Sequence, residues 1–151
     1  MPSKNHRIKR LRRHINEIIL HCTDTKPAMD VGVKEITQWH RAKGWLTCGY
    51  HFVIRRDGTV EQGRDLADPG AHCYNHNAES IGVCYVGGQD ENGKPADTRT
   101  PEQRIALDAI VKTLHAVFPD ADIRGHHDIN PAKDCPCFDV GEYQYLMMDE
   151  D

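Results

Sequence analysis

His21, His126 and Cys135 are residue types that bind zinc, since two neutral imidazoles and a thiolate match its preference for tetrahedral nitrogen and sulfur ligands. His21 closes an apolar run, residues 17–22 (EIILHC). Gly125-His126-His127-Asp128 opens a polar stretch that Cys135-Pro136-Cys137 closes. Three protein ligands leave a fourth position for water or substrate, which is the arrangement of a catalytic site and not of a closed structural one. Zinc so held lowers the pKa of its water and polarises a carbonyl. Spacing alone leaves two alternatives open. A structural zinc on His126, His127, Cys135 and Cys137 fits the local spacing nearly as well, and a Cys–His nucleophilic dyad is the other. There is no CxxC pair or HExxH motif to decide between them.

The elements that must position these residues follow from periodicity. Residues 17–22 read as a short buried strand. Asp30 reads as an N-cap, Val33, Ile36, Trp39 and His40 repeat at helical spacing, and Gly44 is a stop, so a helix is expected over 31–43. Residues 50–55 alternate as a strand, Asp57-Gly58 is a hairpin turn, and 59–62 return. A loop over 63–79 leads to an apolar strand, 80–86, and a polar surface loop, 87–99. Thr100-Pro101-Glu102-Gln103 combines a cap, a first-turn proline and a capping-box glutamine. Ile105, Ala109, Ile110, Leu114 and Val117 are the expected buried face of that second helix. A strand over 121–124 and a loop over 125–138 follow. The order β-α-β-β-β-α-β implies an α/β fold: one domain with a central mixed sheet of about five strands flanked by helices.

The bulk composition agrees. In 151 residues, 38% are hydrophobic and 28% charged, enough for one core. No apolar run approaches the roughly 20 residues of a membrane span, and none follows the basic N-terminus as a secretory signal would. A cytoplasmic protein is the expectation. Lys4, Arg7, Lys9, Arg10, Arg12 and Arg13 put six cations in the first thirteen residues, leaving 13 − 23 = −10 for the remainder. Residues 1–16 therefore read as a basic arm and 17–151 as the folded domain. Base rates favour a solvated terminus over an arm for an anionic partner. The six cysteines read as free thiols plus one metal ligand, because nothing marks an oxidising compartment.

Four stretches, 18–27 (IILHCTDTKP), 31–62 (VGVKEITQWHRAKGWLTCGYHFVIRRDGTVEQ), 80–88 (SIGVCYVGG) and 125–139 (GHHDINPAKDCPCFD), resemble the type 2 N-acetylmuramoyl-L-alanine amidases. The short phage amidases called lysozymes look nearest, and peptidoglycan recognition proteins are more distant members. The resemblance implies His21, His126 and Cys135 as the ligands of one catalytic zinc. It implies Tyr50, in G-Y-H-F, and Lys133, two residues before the last ligand, as catalytic residues. His72, in G-A-H, is implied for the substrate groove. The loop from His126 to Cys135 is one residue longer than the phage pattern, and Tyr74–Asn77 sits two positions early. The implied activity is zinc-dependent hydrolysis of the amide between N-acetylmuramic acid and L-alanine in peptidoglycan. The alternative is a non-catalytic peptidoglycan-binding or polymerase-regulating module, since some phage members bind an RNA polymerase. Non-catalytic relatives lose the third ligand, and the presence of Cys135 with Tyr50 and Lys133 favours hydrolysis. The expected protein is a monomer that meets the muropeptide of the wall after release or separate export. His51, His40, Trp39 and Trp45 read as packing residues, Cys84 as buried and inert, and His127 as turned away from the metal.

Overall fold

The structure, a computed structural model, describes residues 11–148. Five strands, β1 (Glu17–Cys22), β2 (Phe52–Ile54), β3 (Val60–Gln62), β4 (Ser80–Tyr85) and β5 (Asp122–Gly125), form one sheet in the order β3-β2-β4-β1-β5. β1 runs parallel to both β4 and β5, β2 runs parallel to β4, and only the β2–β3 hairpin is antiparallel. The mixed five-stranded sheet expected from the pattern is thus present.

β1 is buried on both faces, and its alternation assigns each side chain to a layer. Ile18, Leu20 and Cys22 enter the larger core with Leu107, Val111 and Leu114 of helix α2 (Pro101–Val117). Ile36 of helix α1 (Val33–Ala42) packs in a second cluster with Val53 and Val86. Ile19 and His21 alternate away from the α2 face, and His21 lies at the C-terminal end of its strand. Ligand sites in open parallel sheets gather at that edge.

Helix α1 begins at Val33 and not at 31, because Gly32 supplies the extended cap residue. Glu35 accepts from the Gly32 N–H (3.1 Å), and Glu61 from the Val33 N–H (3.0 Å). Asp30, expected as the cap, instead pairs with Arg55 at 3.5 Å.

Helix α2 has the expected capping box, with Thr100 and Gln103 bonded reciprocally. Its buried face agrees with the expectation at Ile110 and Leu114 and departs from it elsewhere. Gln103, Leu107, Val111 and Leu114 point inward, while Ile105 is 71% exposed and Val117 62%. Gln103 sets this rotation. Its amide donates to the carbonyls of Ile54 (3.2 Å) and Val86 (2.9 Å), and its oxygen accepts from Thr100 N–H and Arg56. A polar residue that closes four hydrogen bonds, two of them fully buried, outweighs the gain from hiding an isoleucine. Gln103→Leu is expected to cost about 2–4 kcal/mol, since it removes four hydrogen bonds and leaves the Thr100 N–H without its acceptor. That corresponds to a melting temperature lower by roughly 5–12 °C at this chain length. A thermal melt shifted by less than about 2 °C would contradict the assignment.

Within residues 11–16, grouped by sequence with the basic arm, Ile15 is 4% exposed in the larger core. Arg13 donates to the carbonyls of Leu66 (2.8 Å) and Ser80 (2.7 Å). Lys4, Arg7, Lys9 and Arg10 lie outside the described residues. Among the described residues no helix is long and apolar enough to cross a membrane.

Candidate metal centre

Two parallel strand ends bring the first pair of residues together. Leu20 of β1 is in register with Gly125 of β5, so the residues that follow them, His21 and His126, come side by side. Their ring centroids are 4.8 Å apart. The expected loop after β5 begins with one helical turn, α3 (His126–Ile129), whose Asp128 carboxylate accepts from the Gly125 N–H at 2.7 Å. This turn gives His126 and His127 different directions. The His127 N–H donates to the Cys135 carbonyl (2.7 Å), and its ring Nδ1 meets the Lys133 carbonyl. His127 therefore staples the 126–135 loop and turns away from the metal position, as expected.

Cys135 returns to the end of β1. The Cys22 N–H points at its sulfur (3.1 Å), and the same sulfur lies 3.9 Å from His21 Nδ1. The following Pro136, joined by a cis peptide bond, offers its carbonyl to the buried Tyr85 hydroxyl at 2.6 Å. One donor atom each from His21, His126 and Cys135 falls within 4.8 Å of the others, and no other such group occurs among the described residues. The four-ligand alternative does not converge, because His127 is engaged at Lys133 and Cys137 Sγ faces Cys22 Sγ at 3.9 Å.

The donor set fits a metal in its chemistry as well as its spacing. Burial drives the His21 pKa well below the ordinary histidine value, and the neighbouring His72 and His126 push the same way. Burial, then Lys133, lowers His126. Both rings are thus neutral at pH 7, with lone pairs free to ligate.

The centre sits in a cleft of 610 Å³ lined by His21, Tyr50, His72, His126, Lys133 and Cys135. All six residues singled out from sequence share this one cavity. Two smaller cavities, 330 and 390 Å³, hold none of them. The Tyr50 ring lies 5.2 Å from that of His21. Burial raises the Tyr50 pKa well above that of a free phenol, and the thiols of Cys84, Cys135 and Cys22 add to it. Lys133 is exposed at the rim on the loop that ends at Cys135.

His51 is buried and structural, as read: its Nδ1 accepts from the Gly82 N–H (3.0 Å) and its Nε2 lies 2.9 Å from the Asp68 carbonyl. Three other cleft residues carried no functional reading in the sequence. His40 accepts from the Gly49 N–H at 2.7 Å and stacks edge-on with Trp45, 4.5 Å between centroids. Asp24 has a positive φ of 59°, and Gln89 donates to both its carbonyl and its carboxylate. A long-range contact such as Gln89 to Asp24 leaves no periodic trace in sequence.

A three-residue N/N/S donor group that could hold a metal, open to a cleft on the C-terminal edge of a mostly parallel sheet, matches the arrangement of catalytic zinc sites. The family model for N-acetylmuramoyl-L-alanine amidase matches residues 11–138, and the chain belongs to that family. It is 50% identical over 129 residues to an endolysin of Enterobacteria phage K11, covering 85% of each chain. It is 49% identical over 129 residues to the endolysin of Escherichia phage T7, with the same coverage. Among solved structures, the amidase LysC from Clostridium intestinale superposes with a TM-score of 0.77 at 28% identity, covering 91% of this chain and 88% of that one. Drosophila PGRP-LB shares the fold, with a TM-score of 0.68 at 19% identity over 86% and 79% of the two chains.

Proposed function

We propose that this amidase hydrolyses the bond between N-acetylmuramic acid and L-alanine of peptidoglycan with one zinc ion held by His21, His126 and Cys135. The observation that carries the reading is the convergence of those three donors in the cleft that also holds Tyr50 and Lys133. When bound, zinc supplies Lewis-acid polarisation of the scissile carbonyl and a water nucleophile at neutral pH. The chain's own residues do the rest. Tyr50, its proton retained by burial, donates a hydrogen bond to the oxygen on which negative charge grows. The Lys133 ammonium stabilises the same charge from the rim of the cleft. The walls of the cleft hold the muropeptide so that its lactyl amide reaches these groups. His72 lines the same wall.

The product distinguishes this reading from a glycosidase and from a binding module. Digestion of purified cell wall is expected to release one new L-alanine amino terminus per cut, with no new reducing sugar. Reducing ends would identify a glycosidase, and binding without either product would identify a non-catalytic module. The polymerase partner is tested by pull-down of a phage RNA polymerase with and without residues 1–14.

A further inference from the structure

We propose that His72 is a positioning residue for the metal centre, fixing the tautomer and ring orientation of His21. This inference rests on the metal site proposed above. His21 has two ring nitrogens and they face different partners. Nδ1 looks toward Cys135 Sγ at 3.9 Å, and Nε2 lies 2.8 Å from His72 Nδ1. A metal at the His21–His126–Cys135 centre takes the lone pair of Nδ1, so the His21 proton resides on Nε2 and is donated to His72 Nδ1. His72 then carries its own proton on Nε2, which lies 3.1 Å from the Ser80 hydroxyl oxygen. Only this proton arrangement makes every link of the relay a donor–acceptor pair while leaving the metal its lone pair.

The structure holds His72 rigidly for the purpose. Asn77 Oδ1 accepts from the backbone N–H of both His72 (2.9 Å) and Cys73 (3.0 Å), which clamps the loop. The imidazole lies against two glycines. A methyl carbon on Gly82 would sit 2.7 Å from the ring's Cγ and Cδ2, and one on Gly70 2.5 Å from Cδ2. Ser80, the end of the relay, is fully buried at the start of β4. Both ring nitrogens of His72 are engaged inside the protein, by His21 and Ser80, so neither is left for a hydrogen bond to substrate. A residue whose chief role was to bind substrate would keep a nitrogen free for it.

Zinc affinity of the full chain, measured by competition with a chromogenic chelator, tests the assignment. His72→Phe keeps a ring but removes the acceptor, and is expected to weaken zinc binding about 10–100-fold. His72→Asn returns an acceptor oxygen close to the position of Nδ1 and is expected to recover binding to within about threefold of the parent. Circular dichroism of the metal-free variants monitors the fold. Should His72→Phe fail to fold, Ser80→Ala removes the last link alone and is expected to weaken zinc binding by about three- to tenfold. In the zinc-loaded parent, the His21 Nε2 proton is expected as a protected imidazole N–H resonance that disappears in His72→Phe. Parent-like affinity in a folded His72→Phe, or in Ser80→Ala, overturns the proposal. So does equal weakening by Phe and Asn, which would mark a packing role. A parent chain that binds zinc but releases no alanine amino terminus sinks the functional reading and leaves this one standing. A parent that holds no zinc sinks both.

Discussion

Cys135→Ser is expected to release zinc and abolish wall digestion, with a loss of about 10⁴-fold or more. A thiolate gives zinc a charged, soft ligand, and a serine hydroxyl is neutral and hard at the same pH. Two imidazoles remain, and a two-ligand site holds zinc far more weakly than a three-ligand one. The fold should survive. Cys135 is only half-buried, and a serine oxygen can still accept from the Cys22 N–H that now points at sulfur. The variant thus separates chemistry from architecture. Zinc content by atomic absorption should fall below one tenth of an equivalent, on the order of the loss expected for a missing ligand. The metal-free melting temperature should match that of metal-free parent within about 3 °C. Equal digestion by the two proteins would remove Cys135 from the centre and leave the zinc reading without its third ligand.

How far the sequence reveals such a site depends on which interactions fix each residue. His21 and Cys135 are legible because one ends an apolar strand and the other lies in a short Cys-Pro-Cys segment. Which of His126 and His127 comes to lie beside His21 and Cys135 is not legible from spacing. It is set by the register of β5 on β1, which puts Gly125 beside Leu20, and by the one-turn helix that turns His127 toward Lys133. The strands are legible because alternation and burial act locally. The face of α2 is not, because Gln103 overrides the apolar stripe through bonds to Ile54 at the end of β2 and Val86 just past β4, both remote in the chain. The stretch Val140–Met147 forms a 3-10 segment whose Val140 and Tyr143 are buried. Its apolar period is too short to announce it, and its anchors are remote: Tyr143 donates to Asp108 of α2, and Arg99 bonds to Glu142. His72 shows the same limit. Its place in the groove follows from resemblance, but its bond to His21 depends on glycines at 70 and 82 that let a ring lie against the sheet.

Tyr50→Phe and Lys133→Met separate the two charge-stabilising contributions, and each is expected to lower kcat by about 10²–10³-fold. Tyr50→Phe keeps the ring packed 5.2 Å from His21 and removes one donor. Because the lost interaction forms only as the carbonyl oxygen gains charge, KM should change by less than about threefold. Lys133→Met keeps most of the side-chain volume and removes the cation. Arg at this position should not restore activity fully, since a planar guanidinium cannot present the compact point charge of an ammonium. Zinc content distinguishes both variants from a damaged centre and should stay near one equivalent, because neither side chain belongs to the converging donor group. Lys133 has a second, measurable effect. Its charge lowers the pKa of His126. Removing it raises the pKa of the metal-free imidazole, so protons compete better for that ring as pH falls. Zinc release on acidification should therefore begin at higher pH in Lys133→Met than in the parent. A kcat unchanged in Lys133→Met would place the rim cation outside the reaction and leave Tyr50 as the protein's single donor to the developing charge.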